Sequence, residues 1–215
     1  MTSVPRPLDH GWWIASRSAG VVALVALTAS VILGLLMANG LPRRRGAGRA
    51  LLALHESTAL AGLVAIAVHG LTLLGDPWLH ATLWRIAVPG TISYRPLWTG
   101  LGIAGGWIAA ALGLSFYARR HIGAKLWRKL HRATVLAWAL GVAHTLGAGT
   151  DAGERWLRAP MLAGAAVVVF LFLRRVVPGD PKREAARRAA SADAPAAVTT
   201  LTREPVHPHA TQEAA

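Results

Sequence analysis

The chain has 215 residues, no cysteine and a formal net charge of +13. Hydrophobic residues make up 53% of it and charged residues only 15%, against about 25% charged in an ordinary soluble domain. The lack of cysteine excludes disulfides, thiolate zinc sites, iron–sulfur clusters and covalently attached haem. A chain that is both apolar and basic is typical of a membrane protein whose Lys and Arg lie in short loops.

The apolar residues gather in five stretches without Asp, Glu, Lys or Arg, and about 20 such residues cross a hydrocarbon core of roughly 30 Å. We therefore predict an all-α, polytopic membrane helix bundle. Its five spans are expected at about residues 18–39, 51–75, 96–118, 131–150 and 159–177. The last is the shortest charge-free stretch, so Arg158 and Arg174 are expected to extend their side chains outward to the two interfaces.

The distribution of basic residues predicts the orientation. With five spans, 17 of the 23 Lys and Arg fall on one side, which carries a net +11 against +2 on the other. The positive-inside rule then places the N-terminus outside and the C-terminus in the cytoplasm. We expect the protein in the plasma or inner membrane of the cell. Residues 1–16 become an extracytoplasmic segment and residues 178–215 a disordered cytoplasmic tail. Since the charge reports topology, it gives no support to a nucleic-acid partner.

Four histidines fall within the predicted spans. His55 and His69 lie on the second span and His131 and His144 on the fourth, with separations of fourteen and thirteen positions. Polar side chains at membrane depth are costly, which makes each a candidate functional residue. Because these two spans run in the same direction, His55 should share a level with His131, and His69 with His144. At a helical rise of about 1.5 Å per residue the two levels lie about 20 Å apart, near opposite faces of the membrane.

Two cross-helix histidine pairs are what two bis-imidazole haems require, since each iron takes one axial nitrogen from each side of its porphyrin. Zinc or copper would be under-ligated by two His, and Glu56 is the only acid in any span region. We predict two non-covalent haem b groups. On a straight helix His144 would point about 140° away from His131, so we expect helix crossing or a distortion near Gly141 to re-aim one ring.

The histidine spacing and the segment Trp127-Arg128-Lys129-Leu130-His131-Arg132 resemble the ferric-reductase-like transmembrane domain family. That family includes the membrane parts of NADPH oxidases and ferric reductases, and the haem-binding subunit of the bacterial periplasmic methionine-sulfoxide reductase system. The resemblance covers about residues 17 to 175, and we take 17–177 as the haem-binding domain. It implies that His55 and His131 ligate an inner haem, and His69 and His144 an outer one.

Oxidases of this family usually carry a cytoplasmic flavin and nicotinamide domain, and residues 178–215 are too short and too polar to form one. A flavin is therefore expected only on a partner protein. The predicted function is transmembrane electron transfer, as the haem-binding subunit of a membrane oxidoreductase with no catalytic side chain of its own. Electrons would come from a cytoplasmic flavoprotein or quinol and leave to an extracytoplasmic acceptor.

Secondary roles follow from charge and position. Arg132 at the inner haem and Arg95 at the outer one are candidates to bind haem propionates, with Arg128 and Arg85 as further candidates. Trp138 lies between the paired histidines in sequence and could either bridge the haems or simply pack. The alternative function is a haem-free membrane transporter or assembly protein, in which the histidines act as a proton relay or as helix-packing residues.

Overall fold

The computed structural model describes residues 7–40 and 47–177. The predicted tail at 178–215 lies outside these ranges, so its predicted disorder is not tested. All regular structure in the described ranges is helical, as predicted. The helices are α1 (Pro7–Ala38), α2 (Ala47–Thr72, extended by a 3-10 turn over Leu73–Gly75), α3 (Leu83–Ala87), α4 (Pro96–Ile122), α5 (Ala124–His131), α6 (Thr134–Ala148) and α7 (Arg155–Val176).

Four of the described helices are long and apolar enough to cross a membrane: α1, α2, α4 and α7. They cover the predicted spans 18–39, 51–75, 96–118 and 159–177, except for residues 39 and 177. The helix α1 begins at Pro7, so part of the predicted extracytoplasmic segment continues the first span. The fourth predicted span, 131–150, contains the 15-residue helix α6, which rises only about 22 Å. That is shorter than a hydrocarbon core of roughly 30 Å.

The helices associate as two antiparallel pairs, α1 with α2 and α4 with α6, and α7 packs against α1. Glycines allow close approach within each pair. A Cβ on Gly62 of α2 would lie 2.7 Å from a side-chain carbon of Leu27, and one on Gly105 of α4 would lie 3.0 Å from Cβ of Leu140. Small residues at such crossings are typical of helices that pack within a membrane.

A small buried cluster joins α1, α6 and α7. It contains Leu35, Trp138, Val168 and Leu171, and the indole N–H of Trp138 donates a hydrogen bond of 3.0 Å to the hydroxyl of Thr28. Many other large apolar side chains are exposed on the long helices, among them Val25, Leu60, Val64, Leu114, Phe170 and Leu173. An apolar outer surface of this kind suits contact with lipid.

The helix is interrupted between α5 and α6, immediately after His131. Arg132 and Ala133 form a turn in which the Ala133 amide donates to the Leu130 carbonyl at 2.9 Å. The Thr134 hydroxyl donates to the His131 carbonyl at 2.8 Å. Of the two expected causes, helix crossing or a distortion near Gly141, the second is wrong, because Gly141 lies inside the regular helix α6. The interruption between His131 and the helix of His144 lies at Arg132–Ala133, where both residues keep right-handed helical backbone angles.

The connection between α2 and α4 folds back along α4. The indole N–H of Trp107 donates a hydrogen bond of 2.8 Å to the carbonyl of Ala87 at the end of α3. Gly100 also packs on this connection, since a Cβ there would lie 3.2 Å from the Gly90 amide nitrogen. Trp107 lies eleven positions beyond Pro96, so the connection reaches about 16 Å along α4 from its first residue.

Candidate functional site

The four histidines meet in two pairs. The ring centroids of His55 and His131 are 6.1 Å apart, and those of His69 and His144 are also 6.1 Å apart. The pairing predicted from helix direction and level is confirmed. All four rings are half-buried, and the fourteen-position interval from His55 to His69 separates the two levels by about 21 Å along α2.

The imidazoles of α2 are oriented by two serines of α1. Nδ1 of His69 donates to the Ser16 carbonyl at 2.8 Å, and Nδ1 of His55 donates to the Ser30 carbonyl at 2.8 Å. Each serine hydroxyl lies 3.0 Å from the same Nδ1 and donates to the backbone carbonyl of its histidine, at 3.0 Å for His69 and 3.3 Å for His55. A carbonyl only accepts, so Nδ1 carries the proton and the lone pair is on Nε2.

Glycines provide the space in which these rings sit. A Cβ on Gly20 would lie 3.1 Å from Nδ1 of His69, and one on Gly34 would lie 3.2 Å from Cε1 of His55. Each glycine is four positions, about one helical turn, beyond the serine whose carbonyl binds the same ring. The carbonyl and the glycine together form one seat on the surface of α1.

The same kind of seat occurs once on α4. Nδ1 of His144 donates to the Trp98 carbonyl at 2.9 Å. Gly102, four positions further along, lies beneath the ring, since a Cβ there would lie only 2.5 Å from Nδ1 of His144. His144 therefore has the same tautomer as His55 and His69, with Nε2 as its unprotonated nitrogen.

His131 is held differently. Its Nδ1 is buried and has no hydrogen-bond partner among the described residues. The indole of Trp127 stacks on its ring, with centroids 4.9 Å apart and an interplanar angle of 26°. The fourth imidazole is thus oriented by an aromatic neighbour one turn earlier on α5.

Sequence reasoning missed the seats, although a signal for two of them is present. Ser16 and Gly20 recur as Ser30 and Gly34, and the same interval of fourteen positions separates His55-x-x-Thr58 from His69-x-x-Thr72. Both threonine hydroxyls donate to the carbonyl of their histidine, at 3.1 and 3.0 Å. Two helices that share one repeat interval indicate two similar sites at matched levels.

Two of the arginines predicted to bind propionates, Arg132 and Arg95, lie near the histidine pairs. Arg132 is exposed and follows His131 directly. Arg95 is also exposed and precedes α4 in a left-handed backbone conformation with φ 43°. Its guanidinium donates to the Gly147 carbonyl at 2.5 Å, three positions beyond His144. Both remain predictions as propionate ligands, as do Arg85 and Arg128.

Trp138 packs rather than bridging the histidine pairs. Its side chain is 8% exposed and its indole N–H is bonded to Thr28 of α1. The buried cluster around it includes residues of α1 and α7. These contacts account for Trp138 as a packing residue at the junction of three helices.

The separation of the paired rings can be compared with that of two imidazoles on one metal ion. A ligating nitrogen lies about 2 Å from the metal, and the atoms of a five-membered ring with bonds of about 1.33 Å lie about 1.1 Å from its centroid. Two imidazoles on opposite sides of one ion therefore have centroids about 6 Å apart. The observed 6.1 Å of both pairs fits this value.

No group of three or more His, Cys, Asp or Glu that could hold a bare metal ion occurs within residues 7–40 and 47–177. Each site consists of two protein nitrogens, which suits a metal whose remaining ligands come from a macrocycle. Comparisons with protein-family models, with curated proteins and with solved structures find no match to this chain. The chemistry of the site must therefore be inferred from its own geometry.

Proposed function

We propose that the protein transfers electrons across a membrane through two bis-histidine haem b groups, one between His55 and His131 and one between His69 and His144. The observation that carries this proposal is the presence of two histidine pairs on two levels, each with centroids 6.1 Å apart. Three of the rings also keep Nε2 as the unprotonated nitrogen, which is the form that binds iron.

The five predicted crossings and the N-out, C-in orientation belong to the same proposal. The short helix α6 would cross together with the turn at Arg132–Ala133 and the end of α5, and local thinning of the bilayer accommodates a short span. The basic residues of α5 and of the end of α4 would then face the cytoplasm and an electron donor, either a flavoprotein or a quinol. Membership of the ferric-reductase-like family is part of this proposal. It rests on the spacing of the four histidines and on the segment from Trp127 to Arg132.

The chain's own residues orient and insulate the haems. A bound haem supplies one-electron chemistry between ferric and ferrous iron. The carbonyls of Ser16, Ser30 and Trp98 fix three imidazoles in tautomer and direction, which raises the basicity of Nε2. Because two histidines would hold each haem, His55 with His131 and His69 with His144, the group would favour electron transfer over oxygen binding.

Purification after expression with a haem supply tests the proposal. We expect the wild-type protein to bind two haems per chain with a low-spin spectrum, and His69→Ala and His131→Ala each to bind one. His121→Ala is the matched control, because that exposed side chain lies in the last turn of α4 and outside both pairs. A colourless wild-type protein, or variants with unchanged spectra, would overturn the proposal.

The alternative is a haem-free protein in which the rings pack helices together. The ring geometry also supports this alternative. The centroid distance of 6.1 Å falls in the range of about 4.5–7 Å for edge-to-face aromatic pairs, and the interplanar angles are 86° and 69°. In that case the wild-type protein would be stable and colourless. His69→Ala would then lower its thermal stability without any spectral consequence.

A further inference from the structure

The four imidazoles are seated in two different ways. His55, His69 and His144 each bond a carbonyl of a neighbouring helix and lie over the glycine one turn further along. His131 has neither feature, and its Nδ1 is buried without a partner among the described residues. The inner pair therefore combines one seated imidazole with one that is not.

The helix α4 shows why the fourth seat is missing. The seat of His144 consists of the Trp98 carbonyl and Gly102, and the positions one repeat interval further along α4 are Leu112 and Phe116. The Leu112 carbonyl lies beside the His131 ring, in a contact weaker than the bonds of 2.8 to 2.9 Å that hold the other three rings. A Cβ at the equivalent glycines would already lie 2.5 to 3.2 Å from a ring atom, so Phe116 cannot offer an imidazole the space that a glycine offers.

Trp127 packs against both His131 and Phe116. Its indole stacks on His131 at 4.9 Å and contacts Phe116 edge-on, with centroids 5.8 Å apart. Its own Nε1 is buried without a partner among the described residues. Buried indole N–H groups usually have a partner, so the ring is placed here by its stacking contacts and not by a hydrogen bond.

We propose that Trp127 is the positioning residue of His131, and that the inner haem consequently has the more positive midpoint potential of the two. This inference rests on the proposed function. A hydrogen bond from Nδ1–H to a carbonyl makes Nε2 a stronger donor, which stabilises ferric iron. Both imidazoles of the outer pair have that bond at 2.8 to 2.9 Å, whereas in the inner pair only His55 does and the contact of His131 with the Leu112 carbonyl is weaker. Stacking fixes the direction of the His131 ring without this electronic effect.

Two substitutions test the positioning role in the haem-loaded protein. Trp127→Leu removes the flat stacking surface, and we expect at least a tenfold weaker retention of the inner haem, in line with the loss of groups that orient a metal ligand. Trp127→Phe keeps an aromatic ring and should retain both haems. Trp84→Leu is the control, because Trp84 is 69% exposed and lies on α3, away from both pairs.

Two measurements decide between the outcomes. Haem content per chain and spectroelectrochemical titration are measured on each variant, and His69→Ala and His131→Ala assign the two potentials because each leaves one haem. Loss of only the inner haem in Trp127→Leu, together with a more positive inner potential in the wild type, supports the proposal. Two haems with unchanged potentials in Trp127→Leu, loss of both haems, or an inner potential below the outer one would overturn it. If the wild type itself binds no haem, the proposed function fails first.

Discussion

The guanidinium of Arg17 on α1 forms a two-pronged ion pair with the carboxylate of Asp151, which lies in the connection between α6 and α7. The carboxylate side chain is only 9% exposed, whereas that of Arg17 is 37% exposed. Arg17 directly follows Ser16, whose carbonyl orients His69. The ion pair thus ties the seat of the outer pair to the end of the helix that carries His144.

Replacing Arg17 of this ion pair should destabilise the folded protein more than replacing Asp151. Arg17→Ala leaves a buried carboxylate unpaired, and we expect a loss of about 1–3 kcal/mol. Asp151→Ala leaves an arginine that can reach water, so its loss should be smaller. Thermal unfolding of the two variants in detergent measures the difference. Equal stabilities of the two variants, or an Arg17→Ala protein more stable than Asp151→Ala, would contradict the predicted difference between the two partners.

The glycine beneath His144 should tolerate no side chain. Gly102→Ala places a Cβ 2.5 Å from Nδ1 of that ring, so the imidazole must leave its seat, and we expect loss of the outer haem alone. Gly141→Ala is the matched control, since nothing lies within 4 Å of its Cβ. That control should gain up to about 1 kcal/mol in stability from the helix propensity of alanine. Haem content and thermal unfolding are measured together, and an unaffected Gly102→Ala protein would rule out the seat.

The absence of cysteine permits a direct test of whether α6 crosses the membrane. Single substitutions Lys125→Cys and Gly153→Cys place thiols at exposed positions before and after α6. With five crossings, a membrane-impermeant maleimide added to intact cells should label only Gly153→Cys. Labelling of both variants after lysis shows that both thiols are reactive. Labelling of both in intact cells, or of neither, would mean that α6 returns to the side from which it came.

The angle between paired imidazoles should be visible in the ferric protein. The ring planes are 86° apart in the inner pair and 69° apart in the outer. A haem held by two imidazoles in near-perpendicular planes would give a strongly anisotropic low-spin ferric signal, so we expect two such signals by electron paramagnetic resonance, the inner one more anisotropic. His131→Ala should remove that signal and leave the other. Two signals typical of parallel ligand planes would contradict the ring geometry.

Much of the fold was predictable because the relevant information is local. The charge-free stretches predicted α1, α2, α4 and α7, since span length and composition can be read along the chain. The levels of the four histidines were predictable as well, because helix rise converts a spacing along the chain into a distance. The short α6 was not predicted, since a turn at Arg132–Ala133 has no proline or glycine to mark it.

The sequence by itself determined that this is an apolar helical protein with two matched levels of histidine, because hydropathy and helical rise act over neighbouring residues. Only the tertiary structure decided which groups hold those histidines. The carbonyl of Ser16 lies 53 residues from His69 in the chain, and Arg17 lies 134 residues from Asp151. Contacts over such separations depend on how helices pack. The same packing makes three imidazoles hydrogen-bonded and leaves the fourth stacked on Trp127.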